Sequence, residues 1–232
     1  MVQRQTGLAS EKSVIAYAAK VGDMFDKWAA KTPAVRMRNV VGAANLRLEK
    51  EKVTALKGIE SDQANVGDAV FNFVTWQIEI DPRILHLNAV TNANAETLAD
   101  RIYHEARHAE QWFRIARLKA GEGRTQAQLV ADLAIPSHVA RDAVARPLNP
   151  LTPAQRAAMR PAVAAAHDET VQEAGDWHAS IYGAGRPHRD AVMANIPANY
   201  AAYRALAEEV DAWAVGAEAA RVVGVLRRGG QP

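Results

Sequence analysis

The sequence predicts an α+β fold dominated by helix, with a small antiparallel sheet, a central helix and a helical C-terminal half. Three observations predict it. Apolar residues recur at helical spacing near the start of the chain, period-two alternation occurs between about residues 69 and 81, and the second half is Ala-rich with well-marked helix starts. The length of 232 residues suits one domain with a sizeable core, so residues 1–232 are read as a single domain with flexible segments at 1–9 and 228–232.

From Ser10 to about Ala30, the residues Val14, Ile15, Ala18, Val21, Phe25 and Trp28 form the apolar stripe of an amphipathic helix. Residues 35–61 mix Lys and Glu with short apolar runs, and pattern alone does not separate helix from strand there. Between Ala69 and Asp81, the residues Trp76, Ile78 and Ile80 alternate with Gln77, Glu79 and Asp81, while Phe71 and Phe73 add β-favouring composition; one strand is expected, ended by Pro82. The central helix is expected to start at a cap near Asn94, with Glu96 in its first turn, and to stop at Gly121 and Gly123. Thr125 with Gln128 reads as a capping box, and Thr152-Pro153-Ala154-Gln155 places cap, N1 proline and N3 glutamine in order. Gly183 to Pro187 interrupts the helical pattern, and a last long helix is expected over about Asn199 to Arg227.

The net charge of +2 comes from basic and acidic residues scattered among one another, without an aromatic-interleaved basic patch, so a nucleic-acid partner is not expected. The absence of cysteine excludes disulfides, thiolate metal sites and cysteine nucleophiles, leaving histidine and carboxylate for any metal chemistry. No window reaches the roughly 18–20 apolar residues of a membrane span, and Met1 to Leu8 lacks the apolar core of a signal peptide. The expected location is the cytoplasm of the producing cell; export by a dedicated injection machine, or as part of a larger polypeptide, would leave no such trace in the sequence.

The chemistry-bearing pattern is His104-Glu105-Ala106-Arg107-His108, well inside the central helix. At 3.6 residues per turn, His104 and His108 stand one above the other and can reach one zinc ion together, with Gln111 continuing the stripe. Glu105, about 100° round the helix, is poorly placed to ligate but well placed to take a proton from an attacking water and return it to a leaving amine. Such a zinc needs a third protein ligand. No further histidine follows at the spacing of the extended form of the motif, and Glu209 is the best candidate, with Glu169, Glu173 and Asp211 as alternatives. Ala205, Ala212 and Gly216 lie one turn from Glu209 and would let its helix come close to the central one, whereas Glu208, one turn after Arg204, reads as half of a solvated ion pair. Tyr182 and His188, around the break at 183–187, are candidate hydrogen-bond donors to a tetrahedral oxyanion, though a helix-breaking turn with ordinary packing aromatics is the plainer account of them. Trp112 and Phe113 read as core, and His86, His138, His167 and His178 lack partners at ligand spacing. The strand at 70–80 is a candidate edge for pairing with an extended peptide.

Tyr103-His104-Glu105-Ala106-Arg107-His108-Ala109-Glu110-Gln111-Trp112, followed about a hundred residues later by Tyr203 to Trp213, resembles the zincin metallopeptidase domains of bacterial polymorphic toxins and contractile injection systems. Val2-Gln3-Arg4-Gln5 is similar to linkers in those proteins. The resemblance covers about residues 66–220 with a long gap; it implies a zincin-like fold, zinc held by two histidines and a glutamate, and hydrolysis of a peptide or protein substrate for effector release or attack on a target cell. A secretion apparatus or a larger toxin polypeptide is the partner it implies. The long insertion between His108 and Glu209 departs from the family pattern at the third ligand. Two other functions are compatible with the residues: a catalytically silent helical binding or cargo module with a vestigial zinc site, and a zinc hydrolase acting on a non-peptide amide.

Overall fold

The computed structural model describes residues 6–61 and 69–231. It is helix-dominated with a small sheet, as expected for an α+β chain. Its residues gather into two compact units, Met1–Glu110 with Ala212–Pro232, and Gln111–Asp211. Among the described residues no helix is long and apolar enough to cross a membrane.

In the first unit, α1 (Glu11–Phe25) begins at Ser10, whose hydroxyl accepts the Ser13 N–H, and buries Val14, Tyr17, Ala18, Val21 and Phe25 along one stripe. The stretch without a decisive pattern resolves into α2 (Pro33–Lys50), capped by Thr32 with proline at its first turn, and β1 (Lys57–Glu60). Asn45 of α2 holds the approach to β1 through both amide atoms, donating to Leu56 O and accepting from Leu56 N at 2.9 and 2.8 Å.

The one strand expected over 69–81 is instead a hairpin, β2 (Ala69–Asn72) and β3 (Gln77–Ile80). Asn72 causes the turn: its side-chain carbonyl accepts the N–H groups of Val74 and Thr75, and Trp76 closes it in the left-handed region at φ 59°. The indole of Trp76 stabilises that conformation by being buried, with its N–H donated to Thr54 O at 2.9 Å. The sheet is mixed and not antiparallel throughout: β3 is central, parallel to β1 and antiparallel to β2. The alternation in β3 is as expected, with Ile78 and Ile80 fully buried. Asp81 then caps the short α3 (Pro82–Leu85).

The central helix α4 (Asn92–Gly121) starts earlier than expected, because Thr91 and not Asn94 accepts the capping N–H, from Asn94 at 3.1 Å. Part of the N-terminal segment expected to be flexible is built into the core. Gly7–Ala9 forms a 3-10 turn in which Leu8 is fully buried, donating its N–H to Glu110 at 3.0 Å and accepting from the Tyr103 hydroxyl at 3.0 Å. Glu110 also receives Arg107 at 2.5 Å, and both charges are wholly buried. Tyr103 stacks on Tyr17, and burial pushes both phenols well above their usual range, which keeps them neutral. The linker-like Val2-Gln3-Arg4-Gln5 lies outside the described residues.

The second unit is all helical: the end of α4, then α5 (Gln126–Leu133), α6 (Ser137–Val144), α7 (Pro153–Ala158), α8 (Pro161–Ile181), α9 (Arg186–Met193), α10 (Tyr200–Arg204) and the first turn of α11 (Ala207–Arg227). Both expected capping boxes are present, at Thr125 with Gln128 and Thr152 with Gln155. The long helix expected over 199–227 breaks at Ala205 and Leu206, because the chain closes α10 with short turns before restarting at Leu206, whose carbonyl takes the first α11 bond from Val210 N–H at 2.8 Å.

Breaking the Arg107–Glu110 pair from one side strands a buried charge. Arg107→Met or Glu110→Leu alone should cost about 3–5 kcal/mol, and the double variant clearly less than the sum of the two, measured as urea-unfolding midpoints in a double-mutant cycle.

Candidate metal centre

His104, Glu105 and His108 come together on α4, all buried, and a carboxylate oxygen and two ring nitrogens lie within 4.8 Å of one another. The Nε2 atoms of His104 and His108 are 3.0 Å apart. Two imidazoles at that distance either share a proton or share a cation. Two nitrogens each about 2.0–2.1 Å from one tetrahedral ion stand about 3.3 Å apart, so these rings need to open by only a few tenths of an ångström to hold a metal. The i, i+4 spacing sets this convergence, since it places both side chains over the same turn.

Glu105 is held differently. Its Oε2 accepts the backbone N–H of Phe71 in β2 at 2.7 Å, and its Oε1 lies 3.7 Å from His104 Nε2. One oxygen is thus committed to the sheet edge while the other faces the histidine pair. In the antiparallel ladder Phe71 stands opposite Ile78, and its N–H, bonded to Glu105, points away from β3. The side of β2 expected to receive an extended peptide therefore already carries a contact to Glu105, which no sequence pattern reports because a backbone donor makes it.

The close approach expected from small residues on the last helix is present within the first unit. A Cβ on Gly216 of α11 would run into Asp100 Oδ1 and stand 2.8 Å from Asp100 O and 3.1 Å from His104 Cβ. With that space open, Trp213, three residues earlier, packs its ring on His104 with centroids 4.6 Å apart and planes at 66°, and Arg101 lies over the same indole at 4.7 Å. Sequence reasoning passed over Trp213 and Arg101. The signal available was the helical glycine, which marks a crossing point and singles out the residue a turn away.

The remaining candidates lie in the second unit. Glu209 is buried in the first turn of α11. Glu208 is not in a solvated pair with Arg204: it is fully buried, with one oxygen accepting from Arg189 at 2.8 Å and the other from Ser180 at 2.7 Å. The i−4 reading fails because Arg204 belongs to the separate helix α10. Asp211 accepts from Gln111 at 2.8 Å, Glu173 pairs with Arg114 at 2.9 Å, and Glu169 is half-buried on α8. Tyr182 donates its hydroxyl to Leu133 O at 3.0 Å, and burial pushes its pKa up to about 12. His188 is exposed on α9. His178 is held below its usual pKa by burial and, to a smaller extent, by Lys119. Trp112 and Phe113 are buried, as expected.

No protein-family model, curated protein or solved structure matches the chain. The case for a metal centre rests on its own geometry.

Gly216→Ala should destabilise the protein by about 1–3 kcal/mol through overpacking, although alanine favours helix by up to about 1 kcal/mol. Gly22→Ala and Gly175→Ala, where an added Cβ meets nothing within 4 Å, should be neutral or stabilising in the same thermal-unfolding assay.

Proposed function

We propose that this chain is a zinc-dependent metallopeptidase in which His104 and His108 hold the metal and Glu105 is the general base. The observation that carries the reading is the convergence of the two Nε2 atoms at 3.0 Å beside a buried carboxylate that does not share their stripe. Zinc, when bound, supplies the Lewis acidity that polarises a scissile carbonyl and makes water a nucleophile near neutral pH.

The chain's own residues do the rest. His104 and His108 fix the position of the reaction, buried to 2 and 7 % exposure, where bulk water weakens electrostatic effects least. Glu105 takes a proton from the attacking water and returns it to the departing amine, using the oxygen not bonded to Phe71. The Phe71 N–H fixes the carboxylate's direction without neutralising it, as a base requires. A resident ion of this kind requires one more protein ligand, and Glu209 is proposed for it on the count of ligands and on the choice made from sequence. A zincin-like fold, a bacterial effector or toxin role, and export through an injection apparatus belong to the same proposal and rest on the resemblance of the Tyr103 to Trp112 segment.

The purified chain should bind close to one equivalent of zinc by elemental analysis, and His104→Ala or His108→Ala should abolish stoichiometric binding. Glu105→Gln should retain zinc and fold while cleavage in a peptide-library digest falls at least about a hundredfold. Full zinc uptake by either histidine variant would place the metal elsewhere, and near wild-type cleavage by Glu105→Gln would remove the base assignment. Glu209→Ala should weaken zinc at least about tenfold and lower the melting temperature only of the zinc-loaded protein. Glu208→Gln, which disturbs a buried pair, should lower it with or without zinc.

A further inference from the structure

The orientation of a metal-ligating imidazole is set by the groups packed and bonded around its ring. Here an aromatic wall contributes. The indole of Trp213 meets the imidazole at 66° with centroids 4.6 Å apart, and the imidazole meets the ring of His108 at 81° and 4.7 Å. A ring in close contact with two others, in a residue 2 % exposed, cannot turn about its Cβ–Cγ bond without displacing a neighbour.

Trp213 is itself constrained. Arg101 places its guanidinium 4.7 Å from the indole centroid, and Arg101 and His104 are i, i+3 neighbours on α4, so one indole packs against two successive turns of that helix. The crossing that permits this is at Gly216, where any side chain would strike Asp100 and His104. Gly216, Trp213, Arg101 and His104 thus form one arrangement whose result is a fixed ring.

We infer that Trp213, held by Arg101, is a positioning residue that fixes the imidazole of His104 for metal binding. The inference rests on the metal centre proposed above. A ring already fixed loses little rotamer freedom on ligation, so the wall contributes to affinity without touching the ion. It acts through ring area, so phenylalanine should replace tryptophan here and alanine should not.

The test uses the full-length protein and two ions, Zn2+ in competition with a chromophoric chelator and Co2+ read by its visible absorption, whose band shape reports ligand geometry. Trp213→Ala should weaken Zn2+ by about tenfold or more, the scale usual for outer partners of metal ligands, and should alter the Co2+ bands. Trp213→Phe should restore affinity to within about threefold of wild type together with the wild-type bands, and Arg101→Gln, suited to the test even where Trp213→Ala fails to fold, should weaken Zn2+ severalfold. If Trp213→Ala or Arg101→Gln lowers only the metal-free melting temperature and leaves affinity and bands as in wild type, Trp213 is packing alone and the inference is overturned. Failure of Trp213→Phe to restore binding overturns it equally. A wild-type chain that takes up neither ion overturns the metal centre itself, which separates that failure from the failure of Trp213.

Discussion

Burying His104, Glu105, Arg107, His108 and Glu110 within two turns of one helix imposes the constraint that the surrounding structure satisfies. Each of these groups costs several kcal/mol to remove from water unless a partner replaces the water. Arg107 and Glu110 meet the requirement with each other and with the N-terminal turn, which is why Leu8 is fixed in the core. Glu105 meets it with the edge of the sheet. His104 and His108 meet each other, at a distance that also suits a shared ion. The turn at residues 7–9, the hairpin and the crossing at Gly216 are therefore parts of one solution to the burial of polar groups on α4.

That solution divides labour around the helix. One face, with Tyr103, Arg107 and Glu110, is neutralised as a pair and closed by stacked tyrosines, so it supports without reacting. The other, with His104 and His108, keeps its nitrogens pointed at one place. Glu105, between them, is tethered by a single oxygen to a backbone donor, an arrangement compatible with proton transfer through the other oxygen.

The pair of histidines and the glutamate were legible in the sequence because helical spacing alone brings i and i+4 together, and the caps at Thr125 and Thr152 were legible because capping is local. The sheet was only half legible. Ile78 and Ile80 show the alternation of a central strand, but the hairpin depends on an Asn72 side chain caught by two amides and on a tryptophan in a left-handed conformation, which period-two counting reads as continued strand. Glu208 was misread because pairing with Arg204 assumes an unbroken helix, and the break at 205–206 separates two stretches that both look helical. The contacts of Leu8, Phe71 and Trp213 were invisible for a shared reason: each joins residues far apart in the chain, two of them through backbone atoms that carry no residue identity.

The central claim is that His104 and His108 hold one metal ion through their Nε2 atoms, and X-ray absorption at the zinc edge of the loaded protein tests it most directly. Two imidazole nitrogens at about 2.0–2.1 Å, with the outer-shell scattering of their rings and the remaining positions filled by oxygen ligands, is the predicted result. A shell of oxygen alone, without imidazole scattering, would contradict it.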